Sequence, residues 1–105
     1  MATDPMTGGR YAEPSVLILT SLAAGPKHGY ALVRDIREFA GVELGPGTLY
    51  GALARLETQR MIRSMPAEHR RRPYAITADG STALQEHLTV LARIARTGHQ
   101  RLATS

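Results

Sequence analysis

From Pro14 the run Ser15, Val16, Leu17, Ile18, Leu19, Thr20, Ser21, Leu22, Ala23, Ala24 is apolar nearly all round and stops at Gly25 and Pro26. A proline suits a first helical turn and a Gly-Pro pair ends one, so the run reads as a short, mostly buried helix. A strand is the competing reading, because periodicity does not separate the two in an apolar run of this length. After the turn Gly25 to Gly29, the residues Leu32, Val33, Ile36, Phe39 and Ala40 recur at the spacing of one buried helix face. The opposite face carries Arg34, Asp35, Arg37 and Glu38, a solvated mixture. A break from Gly41 to Gly47, containing three glycines and Pro46, precedes a third helical stripe of Leu49, Leu53 and Leu56. Thr48 or the turn before it can cap the first amides of that helix.

The period then changes from 3.6 to 2. Met61 to Met65 reads as a short strand, Pro66 to Arg72 as a polar basic loop, and Pro73 to Thr77 as a second strand, which together make a hairpin. Thr77 is placed to cap a last helix, in which Ala83, Leu84, Leu88, Leu91, Ile94 and Ala95 repeat every three or four residues until Gly98 offers a stop. The expected organisation is therefore a flexible N-terminal arm over 1–12, a DNA-binding unit over 13–77, a dimerisation helix over 78–98 and a frayed tail over 99–105. The arm is assigned from small polar residues and the pair Gly8 and Gly9, which support neither period.

Three helices, a basic two-stranded hairpin and a closing helix describe a mainly α fold with a small β-hairpin, the winged helix-turn-helix with an added C-terminal helix. In that fold the third helix enters the major groove and the hairpin loop touches flanking backbone or minor groove. With the leucine stripe inward, the outward arc of the third helix holds Gly47, Gly51, Ala54, Arg55 and Thr58, flanked by Thr48 and Tyr50. Small residues there allow close approach, while Thr48, Tyr50 and Arg55 can donate to phosphates or base edges. Each also has an ordinary reading: Arg55 as a solvated helix arginine, Thr48 as a cap, Tyr50 as a packing aromatic.

Charge sharpens this picture. The 105 residues carry a formal net charge of +4, and 12 of the 13 cations are arginine, Lys27 being the exception. Between Arg60 and Arg72 five arginines face one acid, Glu68, so that segment alone accounts for +4 and the remainder is formally neutral. Arg70, Arg71 and Arg72 stand in consecutive positions on the hairpin loop, where they repel one another unless an anion or water screens them. A charge run is usually just solvated, but its place on the wing points to DNA. Lys27, His28 and Tyr30 are further candidates for backbone contact.

Other chemistries find little support. There are no cysteines, which excludes disulfides, thiolate metal sites and thiol redox chemistry and is compatible with a reducing cytoplasm. No apolar run reaches the length of a membrane span, and the first residues lack the apolar core of a secretory signal. His28, His69, His87 and His99 are scattered with no pair at metal-ligand spacing. Gly45, Pro46 and Gly47 follow no strand and do not complete a dinucleotide-binding fingerprint. Asp35 and Glu38 read as helix surface rather than a catalytic pair. No cofactor, metal or enzymatic activity is expected.

His28-Gly29-Tyr30 at the second helix, Gly47-Thr48-Leu49-Tyr50 with Leu53, Arg55, Leu56 and Glu57 in the third, and Arg72, Pro73, Tyr74, Ile76, Thr77 and Gly80 around the second wing strand form three ordered motifs. From about Pro14 to Leu91 the chain resembles the PadR family of bacterial transcriptional regulators. The resemblance implies a homodimeric winged-helix repressor whose last helix pairs with its partner, in the short form with a single C-terminal helix. Two positions depart from the family pattern: Gly51 stands where a proline is usual after the Leu-Tyr pair, and Arg60 replaces a glycine common at the end of the third helix. Some members bind flat hydrophobic ligands with aromatic side chains. With no tryptophan and one phenylalanine here, no effector pocket is carried across.

Dimerisation has support of its own, since Leu84, Leu88, Leu91 and Ala95 stand at near-heptad spacing. Folding back as ordinary core is the competing reading. The function expected is a cytoplasmic, sequence-specific regulator of double-stranded DNA, a homodimeric repressor, effector-responsive and autoregulated, its effector unassigned. The groove residues are Thr48, Tyr50, Gly51 and Arg55, and the wing residues Arg70, Arg71 and Arg72. A winged-helix protein interaction module without sequence-specific DNA binding is the alternative, and a non-specific DNA coat a third.

Overall fold

The computed structural model describes residues 13–104; the arm expected over 1–12 lies outside them, as does Ser105. Six elements follow in order: α1 (Pro14–Leu22), α2 (Gly29–Ala40), α3 (Pro46–Thr58), β1 (Ile62–Ser64), β2 (Tyr74–Ile76) and α4 (Ala78–Thr104). The apolar run is the helix α1, with Pro14 in its first turn and Leu17, Ile18, Leu19 and Leu22 buried. Leu32 and Ile36 of α2, and Leu49, Ala52, Leu53 and Leu56 of α3, close around it with Ile62 and Leu84. One core thus holds three helices, the first wing strand and the base of α4.

The helix boundaries follow local chemistry. His28 is the N-cap of α2, its Nδ1 accepting the Ala31 amide at 3.3 Å. Gly41 ends α2 in a left-handed conformation, φ 69°, that residues with a side chain adopt only with strain. Pro46 opens α3 behind Gly45, so the turn, and not Thr48, forms the cap. Phe39, expected in the buried stripe of α2, is 47% exposed. The smaller Ala40, Val42 and Leu44 close the core on that side.

The strands pair antiparallel, Ile62 with Ile76, Arg63 with Ala75 and Ser64 with Tyr74. On its other edge Tyr74 exchanges two backbone hydrogen bonds with Lys27, at 2.9 and 3.1 Å, which fastens the turn before α2 to the wing. The side chain of Lys27 turns inward. Its ammonium donates to the Ser21 carbonyl at 2.6 Å and stands 3.9 Å from Asp35, whose carboxylate also accepts from the buried Ser21 hydroxyl at 2.6 Å. Ammonium, hydroxyl and carboxylate so tie α1, the turn and α2 together, and among the described residues no buried side-chain nitrogen or oxygen is left without a hydrogen bond.

Thr77 caps α4, accepting the Gly80 amide at 3.0 Å on its hydroxyl oxygen. The helix does not stop at Gly98. It runs to Thr104, 27 residues in all or about 40 Å, so the tail expected over 99–105 is helical as far as 104. A lone glycine costs a helix only about 1 kcal/mol relative to alanine, and Gly98 is not among the residues with positive φ that would mark a left-handed cap. Of its apolar residues only Leu84 enters the core; Leu88 and Leu91 are each 41% exposed and Ile94 61%.

Gly80 is the most closely packed of the described glycines. A methyl on it would overlap the Met61 carbonyl oxygen and press to 3.0 Å on Ile76 Cγ1. The carbonyl is backbone and cannot step aside. Gly80→Ala should therefore lower the free energy of unfolding by about 3 kcal/mol, the upper range for an overpacked site, read by urea denaturation; unchanged stability would show that α4 does not seat on β1 in this way.

Candidate nucleic-acid interface

The wing doubles back more sharply than its seven-residue loop suggests. Glu68 and Arg71 exchange backbone hydrogen bonds of 2.7 and 2.8 Å, and the two residues between them, His69 and Arg70, both have positive φ, 49° and 68°. This is the geometry of a two-residue hairpin turn of type I′, which normally takes asparagine and glycine. Neither is present, which is why the turn could not be seen in the sequence. The strain is of order 1–2 kcal/mol per residue, and it holds the three arginines on a short, stiff tip.

Arg71 folds back from that tip toward the start of α2, where its Nη1 comes within 3.3 Å of His28 Nε2. His28, Tyr30, Tyr50, Arg70, Arg71 and Arg72, with Gly29 as floor, line an open cleft of about 330 Å³. Six of the ten candidate DNA contacts converge there, from three separate parts of the chain. A Cβ on Gly29 would lie 2.7 Å from the Tyr50 hydroxyl, so a side chain there would have to push the tyrosine tip aside. Tyr30 and Tyr50 remain 63% and 54% exposed, and Arg34, on the polar face of α2, stacks 5.9 Å above the Tyr30 ring.

The remaining candidates divide. Thr48, Gly51 and Arg55 are exposed on α3, and the Arg55 guanidinium reaches back to within 3.9 Å of where a Gly51 side chain would begin. Because Tyr50 belongs to α3 and also lines the cleft, that helix face and the basic cleft are contiguous. Lys27 does not join them, its ammonium being held by Ser21 and Asp35. The candidate dimer residues also separate, with Leu84 in the core and Leu88, Leu91 and Ala95 outside it.

Ser64 was not singled out from sequence, and Glu57 only as a member of the third-helix motif. The Ser64 hydroxyl donates to the Glu57 carboxylate at 2.9 Å, bridging the last turn of α3 to the first wing strand. Beside them the Tyr74 hydroxyl is pushed above its ordinary pKa, by burial first and then by Glu57 and Tyr50, with Arg72 pulling the other way. The wing is thus braced against α3 on one side and α2 on the other. Among the described residues, no cluster of three or more His, Cys, Asp or Glu is arranged to hold a metal ion.

The strained tip has a direct consequence. Replacing His69 by asparagine and Arg70 by glycine should raise stability by about 1 kcal/mol, as residues tolerant of positive φ relieve the turn. Thermal melting reads it, and an unchanged or lower midpoint would mean that the tip does not form this turn.

Residues 18–86 match the model of the transcriptional regulator PadR-like family. Among solved structures, a PadR family transcription regulator from Clostridium difficile superposes with a TM-score of 0.78 at 26% identity, over 87% of this chain and 99% of that one. A PadR family regulator from Eggerthella lenta gives 0.77 at 27% identity, over 91% and 87%. An uncharacterized 37.1 kDa protein of transposon TN4556 from Streptomyces fradiae is 41% identical over 85 residues, 81% of this chain. The chain spans about a quarter of the length of that curated relative.

Proposed function

The chain belongs to the PadR-like family of transcriptional regulators, and from that premise we propose that it is a sequence-specific DNA-binding repressor acting as a homodimer in the cytoplasm. The observation that carries this reading is the basic cleft itself, in which Arg70, Arg71 and Arg72 meet His28 and two tyrosines beside the exposed face of α3. That face is shallow: Gly47, Gly51 and Ala54 project little, so the helix can lie deep in a major groove with Thr48, Tyr50 and Arg55 as its polar contacts. The wing arginines and the start of α2 take the flanking phosphates, which supply most of the affinity.

Dimerisation rests on α4. Leu88, Leu91 and Ala95 continue a heptad spacing beyond the core, and Leu88 and Leu91 are each 41% exposed in the single chain. A second copy laid along this stripe removes that apolar surface from water and sets two recognition helices for half-sites about one turn of DNA apart. Repression needs only occupancy of a promoter and no surface that contacts the polymerase. Autoregulation and response to an effector complete the reading, with the effector unassigned. No catalytic role is assigned.

Titration onto the duplex immediately upstream of its own coding region, against a shuffled duplex at several salt concentrations, tests the function. Preferred binding to the native duplex, weakened roughly 10³–10⁵-fold between 50 and 200 mM salt for about 6–10 phosphate contacts, is expected. Converting Arg71 and Arg72 to alanine should reduce the salt slope by about 2 and leave the melting temperature nearly unchanged. Equal binding to both duplexes would favour a non-specific coat, and none at low salt a protein interaction module. Leu88→Asp should give monomers by analytical ultracentrifugation; a surviving dimer would move the interface off α4.

A further inference from the structure

We propose that the cleft between the wing and the start of α2 seats one phosphodiester of the DNA backbone, clamped between His28 Nε2–H and the Arg71 guanidinium. This inference rests on the DNA-binding reading and specifies its chemistry. His28 accepts the Ala31 amide on Nδ1, and an imidazole that accepts on one ring nitrogen carries its proton on the other, Nε2. That nitrogen faces Arg71 Nη1 at 3.3 Å. A guanidinium has donors only, so the contact sets donor against donor with nothing to accept from either. An anionic oxygen placed between or beside them satisfies both.

The surroundings favour an anion throughout. Arg70 and Arg72 line the same cleft with the hydroxyl-bearing Tyr30 and Tyr50, and no acidic residue lines it. Among the described residues the ion pairs are Lys27 with Asp35 and Arg37 with Glu43, so none of the three wing arginines is neutralised by a carboxylate. A volume of about 330 Å³ is roughly ten times a water molecule's share of the liquid, enough for a phosphodiester with some of its hydration. The cleft is open and runs through Tyr50 onto the exposed face of α3, as a site on a continuous strand must. The same chemistry would take a free phosphate, and the two sources are separable.

The seat also explains the fold-back of Arg71. An arginine solvated for its own sake would stay away from another donor. Here it is placed across from the cap of α2, so a phosphate shared by the two bridges wing and helix and sets the depth at which α3 enters the groove. His28 is then a binding residue with two duties on two nitrogens. They can be dissected, because asparagine is an equally good N-cap yet has nothing at the position of Nε2.

The experiment begins with a duplex selected from a pool of random sequences for binding to the full chain. Methylphosphonate, which removes the charge of one linkage, is then walked along each strand. At one linkage per half-site the substitution should weaken wild-type protein about 10-fold, in line with the loss of a charge-assisted hydrogen bond. His28→Asn and Arg71→Ala should each weaken binding to the unmodified duplex about as much, yet bind the duplex modified at that linkage no worse than wild type does. Additive losses at every linkage would overturn the proposal while leaving DNA binding intact. Failure to select any duplex would remove the DNA-binding reading and this inference with it. Inorganic phosphate is titrated in parallel at constant ionic strength. Saturable binding of phosphate alone that His28→Asn abolishes, with no coupled linkage in the walk, would assign the cleft to a free anion and overturn the DNA form.

Discussion

The carbonyl of Met61 is approached from two sides at once. The Thr77 amide donates to it at 3.0 Å, while the Thr77 hydroxyl lies 2.7 Å from the Arg60 carbonyl and 3.0 Å from that of Met61 and accepts from Gly80. Gly80 then packs against the same carbonyl where no side chain would fit. This knot joins the end of α3, the start of β1, the end of β2 and the first turn of α4 within a few ångströms. Everything that faces DNA in the proposed reading hangs from it. If β2 returned to a different place, Tyr74 would miss Lys27 and the wing would not stand over His28.

Around that knot the chain keeps its charges in two separate economies. Toward the core, Lys27, Asp35 and Ser21 satisfy one another between α1 and α2. Toward solvent, the wing gathers its arginines without carboxylate partners and holds them on a turn whose two central residues are strained. A fold optimised for stability alone would use asparagine and glycine at that tip and disperse the cations. Positive charge and backbone strain are concentrated instead on one surface, the pattern expected where a ligand supplies the missing interaction.

Much of the architecture was legible in the sequence because it depends on periodicity and punctuation. The apolar run of α1, the stripes of α2 and α3 and the basic hairpin needed only spacing, glycines and prolines. What escaped depends on tertiary encounters. Lys27 has the composition of a phosphate contact, but its partners come from two helices brought together by folding. Phe39 has the right spacing for burial and lies where smaller neighbours have already closed the core. Gly98 resembles a stop, yet α4 runs through it, because a lone glycine costs a helix only about 1 kcal/mol. At the site, the arginine run identified the wing, while the paired left-handed residues at its tip and the two-sided use of the His28 ring had no signal in the residue types.

The central claim is that two copies of one shallow helix and one basic cleft read DNA together. A hydroxyl-radical footprint on a duplex selected for binding tests it most directly, because it reports every sugar that the protein covers on both strands. The account predicts two equivalent protected patches about one helical turn apart, each flanked by protection from a wing. A single patch, or uniform protection without a preferred register, would contradict it.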